Sequence, residues 1–99
     1  MESGYKVFWT PHALEELEKT IEYLHNNFTD KEIRRLAHKI ESSIEIISQN
    51  PFIFSVSESK GIHKAIILQF NTMYYRVNDS TVEILSFFSN RQSPYKRKF

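Results

Sequence analysis

The sequence predicts a small α+β protein in which a helical hairpin packs on one face of a mainly antiparallel sheet. Two observations support this. Apolar residues with helical spacing fill residues 11–49 with one interruption, and the second half holds three short β-type segments separated by turn residues. One β-type segment also precedes the helices, so the predicted order is β-α-α-β-β-β. At 99 residues there is room for one core, and we expect a single domain over residues 1–99.

The first strand is predicted over residues 5–10 and the first helix directly after it. The segment YKVFWT is aromatic and β-branched, which is typical of a strand. Thr10 is a good helix cap, and Pro11 suits the first helical position because its missing N–H is not needed there. In the helix, apolar residues step by three and four and form one stripe, which comprises Leu14, Leu17, Ile21, Leu24 and Phe28.

The second helix is predicted to follow Thr29 and to end before Pro51. Thr29 and Glu32 have the spacing of a capping box. Asn50 marks the end, because a residue that precedes proline avoids the helical region. The turn between the helices is short, so they must lie antiparallel. The apolar stripe of this helix comprises Ile33, Leu36, Ala37, Ile40, Ile44 and Ile47.

Three strands are predicted in the second half, over residues 62–70, 72–77 and 80–88. Asn71 and the pair Asn78-Asp79 are the turn signals between them. Connections this short require antiparallel pairing, so the three strands form a meander. Residues 51–61 are predicted to be a connecting loop.

Both faces of the predicted sheet carry apolar residues. In the strand that starts at Ile62, residues Ile62 and Ile66 share a side with Lys64, whereas Ala65 and Ile67 point to the other side. Two helices cover only one side, so the connector or a partner must cover the second. We therefore expect the isolated chain to self-associate through its uncovered face.

Composition excludes several kinds of chemistry. The chain has no cysteine, which rules out disulfides and thiolate metal sites, and its four histidines lack ligand spacing, so we expect no metal and no other cofactor. Two glycines leave no glycine-rich phosphate loop. We find no leader segment and no apolar run of membrane length, and we expect a cytoplasmic protein without membrane association.

Charge is unevenly distributed. Residues 1–50 hold six Lys or Arg against nine Asp or Glu, whereas residues 51–99 hold seven against three. This asymmetry is compatible with a polyanionic partner and equally with a solvated surface. Residues 90–99 are predicted to form a basic C-terminal tail.

Basic and aromatic residues on the meander and tail form the candidate site. They are His63, Lys64, Tyr74, Tyr75, Arg76, Arg91, Tyr95, Lys96, Arg97 and Lys98. Cations neutralise phosphates, and rings stack on unpaired bases. Metal-free RNA cleavage needs a general base, a general acid and cations near the phosphorane, so the pKa of at least one of these groups would have to be lowered. Two alternatives remain, because Tyr74 and Tyr75 also suit a core and Arg76 also suits an ion pair with Glu83.

Four ordered segments suggest a family. They are VFWTPHALEELEKTIEYL, IEIISQNPFIF, HKAIILQFNTMYYRV and VEILSFFSNRQSPYK, and they run over nearly the whole chain. In this order they resemble the RelE/ParE superfamily of small bacterial toxins from type II toxin–antitoxin modules. The family fold is the β-α-α-β-β-β arrangement derived above. The resemblance implies a growth-inhibiting toxin, as in plasmid stabilization, around which a cognate antitoxin wraps an extended or helical segment.

Two activities occur in this superfamily. The ParE-like branch poisons DNA gyrase, and the RelE-like branch cuts mRNA on the ribosome without metal. A nuclease of this kind would use Arg91, Tyr95, Lys64 and Arg76 as catalytic residues. Arg91 matches the family's arginine at the end of the last strand, but Thr72 stands where the nucleases carry another arginine. The incomplete set favours the ParE-like branch and leaves open whether the chain is an enzyme.

The resemblance also defines expected partners. The predicted target-binding residues are Arg91, Lys64, His63, Tyr75, Lys96 and Arg97. The partners are an antitoxin and either DNA gyrase or the ribosome with mRNA, in a homodimer or a toxin–antitoxin hetero-oligomer. A non-toxic relative that binds a partner or nucleic acid is a third possibility. Replacing Arg91 by alanine is expected to weaken toxicity with little loss of stability, because a strand-end arginine should be mostly exposed.

Overall fold

A computed structural model describes residues 4–54, 56 and 61–89. Its elements are β1 (Lys6–Trp9), α1 (Pro11–Asn27), α2 (Asp30–Gln49), β2 (Ile62–Ile67), β3 (Asn71–Asn78) and β4 (Thr81–Ser89). Both helices pack against the sheet that these strands form. The predicted fold class and the order β-α-α-β-β-β are therefore confirmed.

The strands of the described chain form one sheet in the order β1-β4-β3-β2. The last three strands make the predicted antiparallel meander. β1 lies parallel to β4 at one edge, with Val7 opposite Val82. Between Tyr74 and Tyr75 the register with β4 shifts, so that these residues lie opposite Ser86 and Ile84 and the intervening Leu85 forms a bulge.

Thr10 joins three elements at the start of α1. Its hydroxyl donates a hydrogen bond to the carbonyl of Ile84 in β4 at 2.8 Å. The same oxygen accepts a bond from the Ala13 N–H at 3.3 Å, as a helix cap does, and Pro11 occupies the first turn as predicted. The end of β1, the start of α1 and the middle of β4 are thus held at one point.

The buried line of α1 differs from the predicted apolar stripe. Ala13, Thr20 and Leu24 are buried, whereas Leu14 and Ile21 are 45% and 37% exposed. Thr20 tolerates burial because its hydroxyl donates to the Glu16 carbonyl one turn earlier. The small residues at 13 and 20 occupy the line of contact, so the buried line of α1 coincides only in part with the predicted apolar stripe.

α2 has the predicted bounds but not the predicted cap. It begins after Thr29 and ends at Gln49, before Asn50 and Pro51. The Thr29 side chain makes no cap hydrogen bond, and Glu32 instead lies 3.5 Å from Arg35. The buried residues of this helix are Leu36, Ile40, Ser43 and Ile47, while the predicted stripe residue Ala37 is exposed.

The turn between β2 and β3 lies earlier than predicted. β2 ends at Ile67, residues 68–70 form the turn, and Asn71 begins β3 instead of making the turn. Leu68 adopts a φ of 59°, a left-handed conformation that apolar residues seldom adopt and that composition therefore did not indicate. The turn between β3 and β4 contains Asp79 at φ 50°, as its residue type predicted.

One core lies between the helices and the sheet. We call the sheet face that packs on the helices the inner face, and the opposite one the outer face. Alternation along β3 sends Met73 and Tyr75 to the inner face and Tyr74 and Arg76 to the outer face. The largest fully buried side chains are Tyr75, Phe87, Leu36, Ile47, Ile67, Met73, Ile84 and Val82.

Candidate functional site

The outer face brings two predicted site residues together. Lys64 on β2 lies opposite Tyr74, and Ile62 lies opposite Arg76, so Lys64 and Arg76 are diagonal neighbours on one face. Side chains in this relation are about 7–8 Å apart at their bases. Both are exposed. The geometry therefore gathers two cations on the outer face, at the edge formed by β2.

Arg76 makes the ion pair that the sequence offered as an alternative. Its Nε donates to Oε1 of Glu83 at 3.0 Å, and its Nη2 donates to the same oxygen. The register of β3 and β4 places the two residues opposite each other. The side chains are 49% and 30% exposed, and an exposed pair of this kind is held by only about 0–1 kcal/mol. A phosphate can compete with Glu83 for the guanidinium.

His63 and Tyr75, predicted to contact the target, lie on the inner face. They are 6% and 0% exposed, and their rings stack with centroids 5.2 Å apart. The Tyr75 hydroxyl donates to the Pro51 carbonyl at 2.7 Å. The His63 Nδ1 lies 3.0 Å from the Phe54 carbonyl, and it must carry the hydrogen because a carbonyl only accepts. In this packing the pair anchors the connector, and its role towards a target remains a prediction.

The chemistry of Tyr75 follows from its surroundings. Burial raises the pKa of the Tyr75 phenol to about 12, and a backbone hydrogen bond at Phe54 only partly opposes this. The phenol is therefore protonated near neutral pH. It can donate a hydrogen bond there but cannot act as a general base.

Four predicted site residues lie outside the described residues. They are Arg91, Tyr95, Lys96 and Arg97 of the predicted catalytic and target-binding residues, and Lys98 of the wider candidate site lies outside as well. The same holds for the predicted basic tail over residues 90–99. Their proposed roles remain predictions, and of the predicted nuclease set the described structure places Lys64 and Arg76.

Several apolar side chains are exposed, and two of the surfaces that carry them are the outer face and α1. On the outer face, Phe8 and Ile66 are each at least half exposed. On α1 and at its C-cap, Leu14, Ile21 and Phe28 are exposed at intervals of seven residues. Seven residues are almost two helical turns, so these three side chains lie along one line, which we call the α1 apolar line. Exposed apolar side chains grouped in this way are typical of a surface that a protein partner covers.

The described part of the connector packs towards the inner face. The Phe52 ring meets the His63 ring edge-on at 5.7 Å, and Val56 bridges His63 at the free edge of β2. Pro51 is buried under Tyr75. Among the described residues, the connector therefore does not cover Ile66 on the outer face.

Glu16, which the sequence analysis did not single out, joins α1 to β4. Its Oε1 accepts hydrogen bonds from the Ser86 hydroxyl at 2.7 Å and the Phe87 N–H at 2.8 Å. Its Oε2 lies 3.4 Å from Nε2 of His12. β1 ends at Trp9, so it offers no carbonyl to the Phe87 N–H of β4. The Glu16 carboxylate accepts that hydrogen bond instead. Since one carboxylate oxygen accepts from both a side-chain hydroxyl and a backbone N–H of β4, Glu16 ties α1 to this strand.

A second overlooked set lies on α2. Five basic side chains are spaced i, i+3, i+4, i+7 and i+8, which places them on one helix face. They line a shallow depression of about 580 Å³ together with Leu68 from the β2–β3 turn. We call this set the α2 basic stripe: Lys31, Arg34, Arg35, His38 and Lys39. The net charge of residues 1–50 is negative and gave no sign of this set, although the helical spacing of its basic residues is visible in the sequence.

Two further properties concern metals and membranes. Within residues 4–54, 56 and 61–89, no three His, Asp or Glu side chains are grouped as metal ligands. Neither described helix combines the length and apolar character that crossing a bilayer requires. The groups that the described fold does assemble are cations, aromatic rings and carboxylates.

Comparison with known proteins gives the class of this fold and site. Residues 7–94 match the family model described as the ParE toxin of type II toxin-antitoxin system, parDE. The match spans most of the chain, so the protein belongs to this family. It is a type II toxin–antitoxin toxin of the ParE/RelE superfamily, and the resemblance predicted from the sequence is confirmed.

Solved structures of toxin–antitoxin proteins have the same fold. The ParDE system from P. aeruginosa superposes with a TM-score of 0.72 at 15% identity, covering 86% of this chain and 95% of that one. RelBE2 from Mycobacterium tuberculosis superposes with a TM-score of 0.63 at 22% identity, covering 90% of this chain and 94% of that one. The YoeB dimer from Staphylococcus aureus superposes with a TM-score of 0.60 at 19% identity, covering 85% of this chain and 94% of that one. No curated protein matches the chain in sequence.

Proposed function

We propose that this toxin inhibits DNA gyrase and is neutralised by a cognate antitoxin. The observation that supports gyrase is the match of the ParE toxin family model over residues 7–94. The described geometry is compatible with it, because Arg76 is engaged by Glu83 and Tyr75 is buried in protonated form. Inhibition would then be a binding function, in which the protein itself breaks no bond. We place its action in the cytoplasm, where both candidate targets are found.

The antitoxin accounts for the apolar surface that the fold leaves exposed. The α1 apolar line runs from Leu14 to Phe28, which is about 21 Å at 1.5 Å per residue. An amphipathic helix of about 14 residues would cover this line with anchors spaced three, four and seven residues apart. We propose that a helical segment of the antitoxin lies here. The solved relatives include ParDE, RelBE2 and YoeB–YefM toxin–antitoxin systems, which supports a partner of this kind.

The test of the antitoxin contact uses the product of the neighbouring reading frame as the binding partner. Replacing Leu14 by aspartate should weaken binding at least tenfold, because a charge would enter an apolar contact. The matched control is Lys19→Asp, which changes an exposed residue elsewhere on α1. Isothermal titration calorimetry measures both. Equal affinities for the two variants would place the antitoxin on a different surface.

The test of the target compares two purified reactions. The chain is added to a gyrase supercoiling assay with relaxed plasmid and to a cell-free translation assay. We expect loss of supercoiling, with translation and mRNA length unchanged. Intact supercoiling with shortened mRNA would contradict the gyrase proposal and favour the nuclease. If induced, soluble protein alters neither reaction and does not slow growth, the chain is a non-toxic relative.

A ribosome-dependent nuclease is the second candidate, because Lys64 and Arg76 are neighbours on the outer face. Cations so placed can stabilise the extra charge of a phosphorane, and loss of one such group typically costs about 10²–10³ in rate. Under this alternative, Lys64→Ala and Arg76→Ala should each abolish mRNA cleavage in the same assay. Lys19→Ala, which removes an exposed cation from α1, is the control.

A further inference from the structure

The α2 basic stripe concentrates positive charge in a short length of helix. Lys31 and Lys39 mark its ends, about 12 Å apart along the axis at 1.5 Å per residue. Glu32 is the one acid in the sequence between them, and it lies 3.5 Å from Arg35. In the part of the chain that the structure describes, Arg34 has no carboxylate partner within ion-pair distance. The stripe therefore keeps a net positive charge.

The lining of the depression favours an anion over an apolar segment. Of the six described side chains that line it, five are basic, and Leu68 supplies the apolar contact. A helical protein partner needs several apolar anchors, and among the described residues only Leu68 supplies one in this depression. Phosphates need cations alone, and arginine binds them in a bidentate manner. A row of phosphates is the chemistry that this surface fits.

The lining and the length of the stripe indicate which class of polyanion it fits. Among residues 4–54, 56 and 61–89, no aromatic ring lines the depression, so this part of the chain offers no stacking platform of the kind that usually holds single-stranded nucleic acid. The major groove of B-form DNA is about 12 Å wide, similar to the length of the stripe, so its two ends can reach phosphates of both strands. The major groove of A-form RNA is too narrow for this.

We infer that the α2 basic stripe binds the phosphate backbone of duplex DNA across the major groove, without reading sequence. This contact is distinct from the outer-face residues and from the antitoxin surface. It also does not depend on which target the toxin inhibits, so a failure of the gyrase proposal would leave it standing. Counterion release makes such binding steeply dependent on salt.

The experiment measures fluorescence anisotropy of a labelled 20-base-pair duplex DNA with the full chain at several KCl concentrations. The double variant Lys31→Gln/Lys39→Gln should lose about tenfold in affinity near 0.1 M salt, and the slope of log K against log salt should become shallower by about 2, since each phosphate contact contributes about 0.9. The matched control is Lys6→Gln/Lys19→Gln, which removes two exposed lysines from β1 and α1. It should change affinity less than about threefold, because these lysines lie off the stripe.

A second variant changes affinity in the opposite direction. Glu32→Gln removes the acid between the ends of the stripe and should tighten DNA binding about threefold, which unfolding cannot mimic. Identical salt slopes for the stripe variant and its control would overturn the inference. Tighter, stripe-dependent binding of poly-L-glutamate would assign the surface to an acidic protein partner and overturn it as well. Duplex RNA binding as tightly as duplex DNA would overturn the groove argument.

Discussion

The two faces of one sheet differ sharply although the same strands build them. On the inner face Met73, Tyr75 and Ile84 are fully buried against the helices. On the outer face Lys64, Arg76 and Ile66 are exposed, and the described connector does not cover them. Each strand therefore alternates between residues that stabilise the fold and residues that face solvent.

This difference shows that sequence neighbours can have unrelated roles. His63 and Lys64 are adjacent, as are Tyr75 and Arg76, and all four belong to the basic and aromatic set predicted to form one site. The pleat separates them onto opposite faces, so His63 and Tyr75 hold the connector while Lys64 and Arg76 meet solvent. Substitutions on the inner face should therefore lower stability more than substitutions on the outer face.

The largest effect is expected for Tyr75→Ala on the inner face. The ring is fully buried and stacks on His63, so its loss should leave a cavity and lower the free energy of unfolding by about 3–5 kcal/mol. Urea unfolding followed by circular dichroism measures this. Tyr74→Ala, one residue away on the outer face, should cost less than half as much. If the two variants were equally unstable, the contrast between the faces would fail.

The next effect concerns pH. The phenol has a pKa near 10.0 when unfolded and about 12 when folded, so the unfolded state loses its proton first. The stabilisation is complete below pH 10 and is lost as pH rises towards 12, by about 2–3 kcal/mol. Unfolding curves at pH 9 and pH 12 should show this decline. Tyr75→Phe should lack this component, and an unchanged decline in that variant would show that other groups cause it.

A smaller effect is expected at the contact between α1 and β4. Glu16→Ala removes the acceptor for the Ser86 hydroxyl and the Phe87 N–H, and should cost about 1–3 kcal/mol. Glu15→Ala, at an exposed neighbouring position, is the control and should be close to neutral. Thermal unfolding compares them. Equal melting temperatures would mean that water replaces the carboxylate without loss.

On the outer face, Arg76→Ala should have little effect on stability. The pair with Glu83 is exposed, and such pairs contribute less than about 1 kcal/mol. A double-mutant cycle with Glu83→Ala measures the coupling free energy by urea unfolding. A coupling above 2 kcal/mol would show that Arg76 is structural and weaken its candidacy for target contact.

The smallest change in stability is expected for Ile66→Thr. The side chain is 55% exposed, so unfolding should change by no more than about 0.5 kcal/mol. The same variant should reduce self-association of the isolated chain, which we expect to proceed through the outer face. Sedimentation velocity at high concentration measures the oligomeric state of the wild-type chain and of the Ile66→Thr variant. A wild-type chain that stays monomeric there would refute that expectation.

Much of the fold was predictable because local chemistry determined it. Thr10 and Pro11 marked the start of α1, Asn50 and Pro51 marked the end of α2, and Asp79 marked one turn. The turn at Leu68 was missed because its left-handed backbone is imposed by the hairpin and has no signature in residue type.

The candidate site was less predictable. Lys64 and Arg76 do share one face, because strand alternation and short turns fix which residues are neighbours, and their role in a site stays a prediction. The role of Glu16 was invisible, since its partners Ser86 and Phe87 are about seventy residues away in the chain. The α2 basic stripe was not predicted, because the net charge of residues 1–50 is acidic and only the helical spacing of the basic residues shows that they share one face.

The amino-acid sequence alone determined the order of elements, most of their ends and the superfamily, because capping, turn chemistry and hydrophobic spacing act over a few residues. Only the tertiary structure decided which side of each helix is buried, that β1 pairs with β4, and that His63 and Tyr75 face inwards. Those outcomes depend on the close approach of segments distant in sequence, where small residues such as Ala13 permit contact and larger ones such as Leu14 are displaced to the surface.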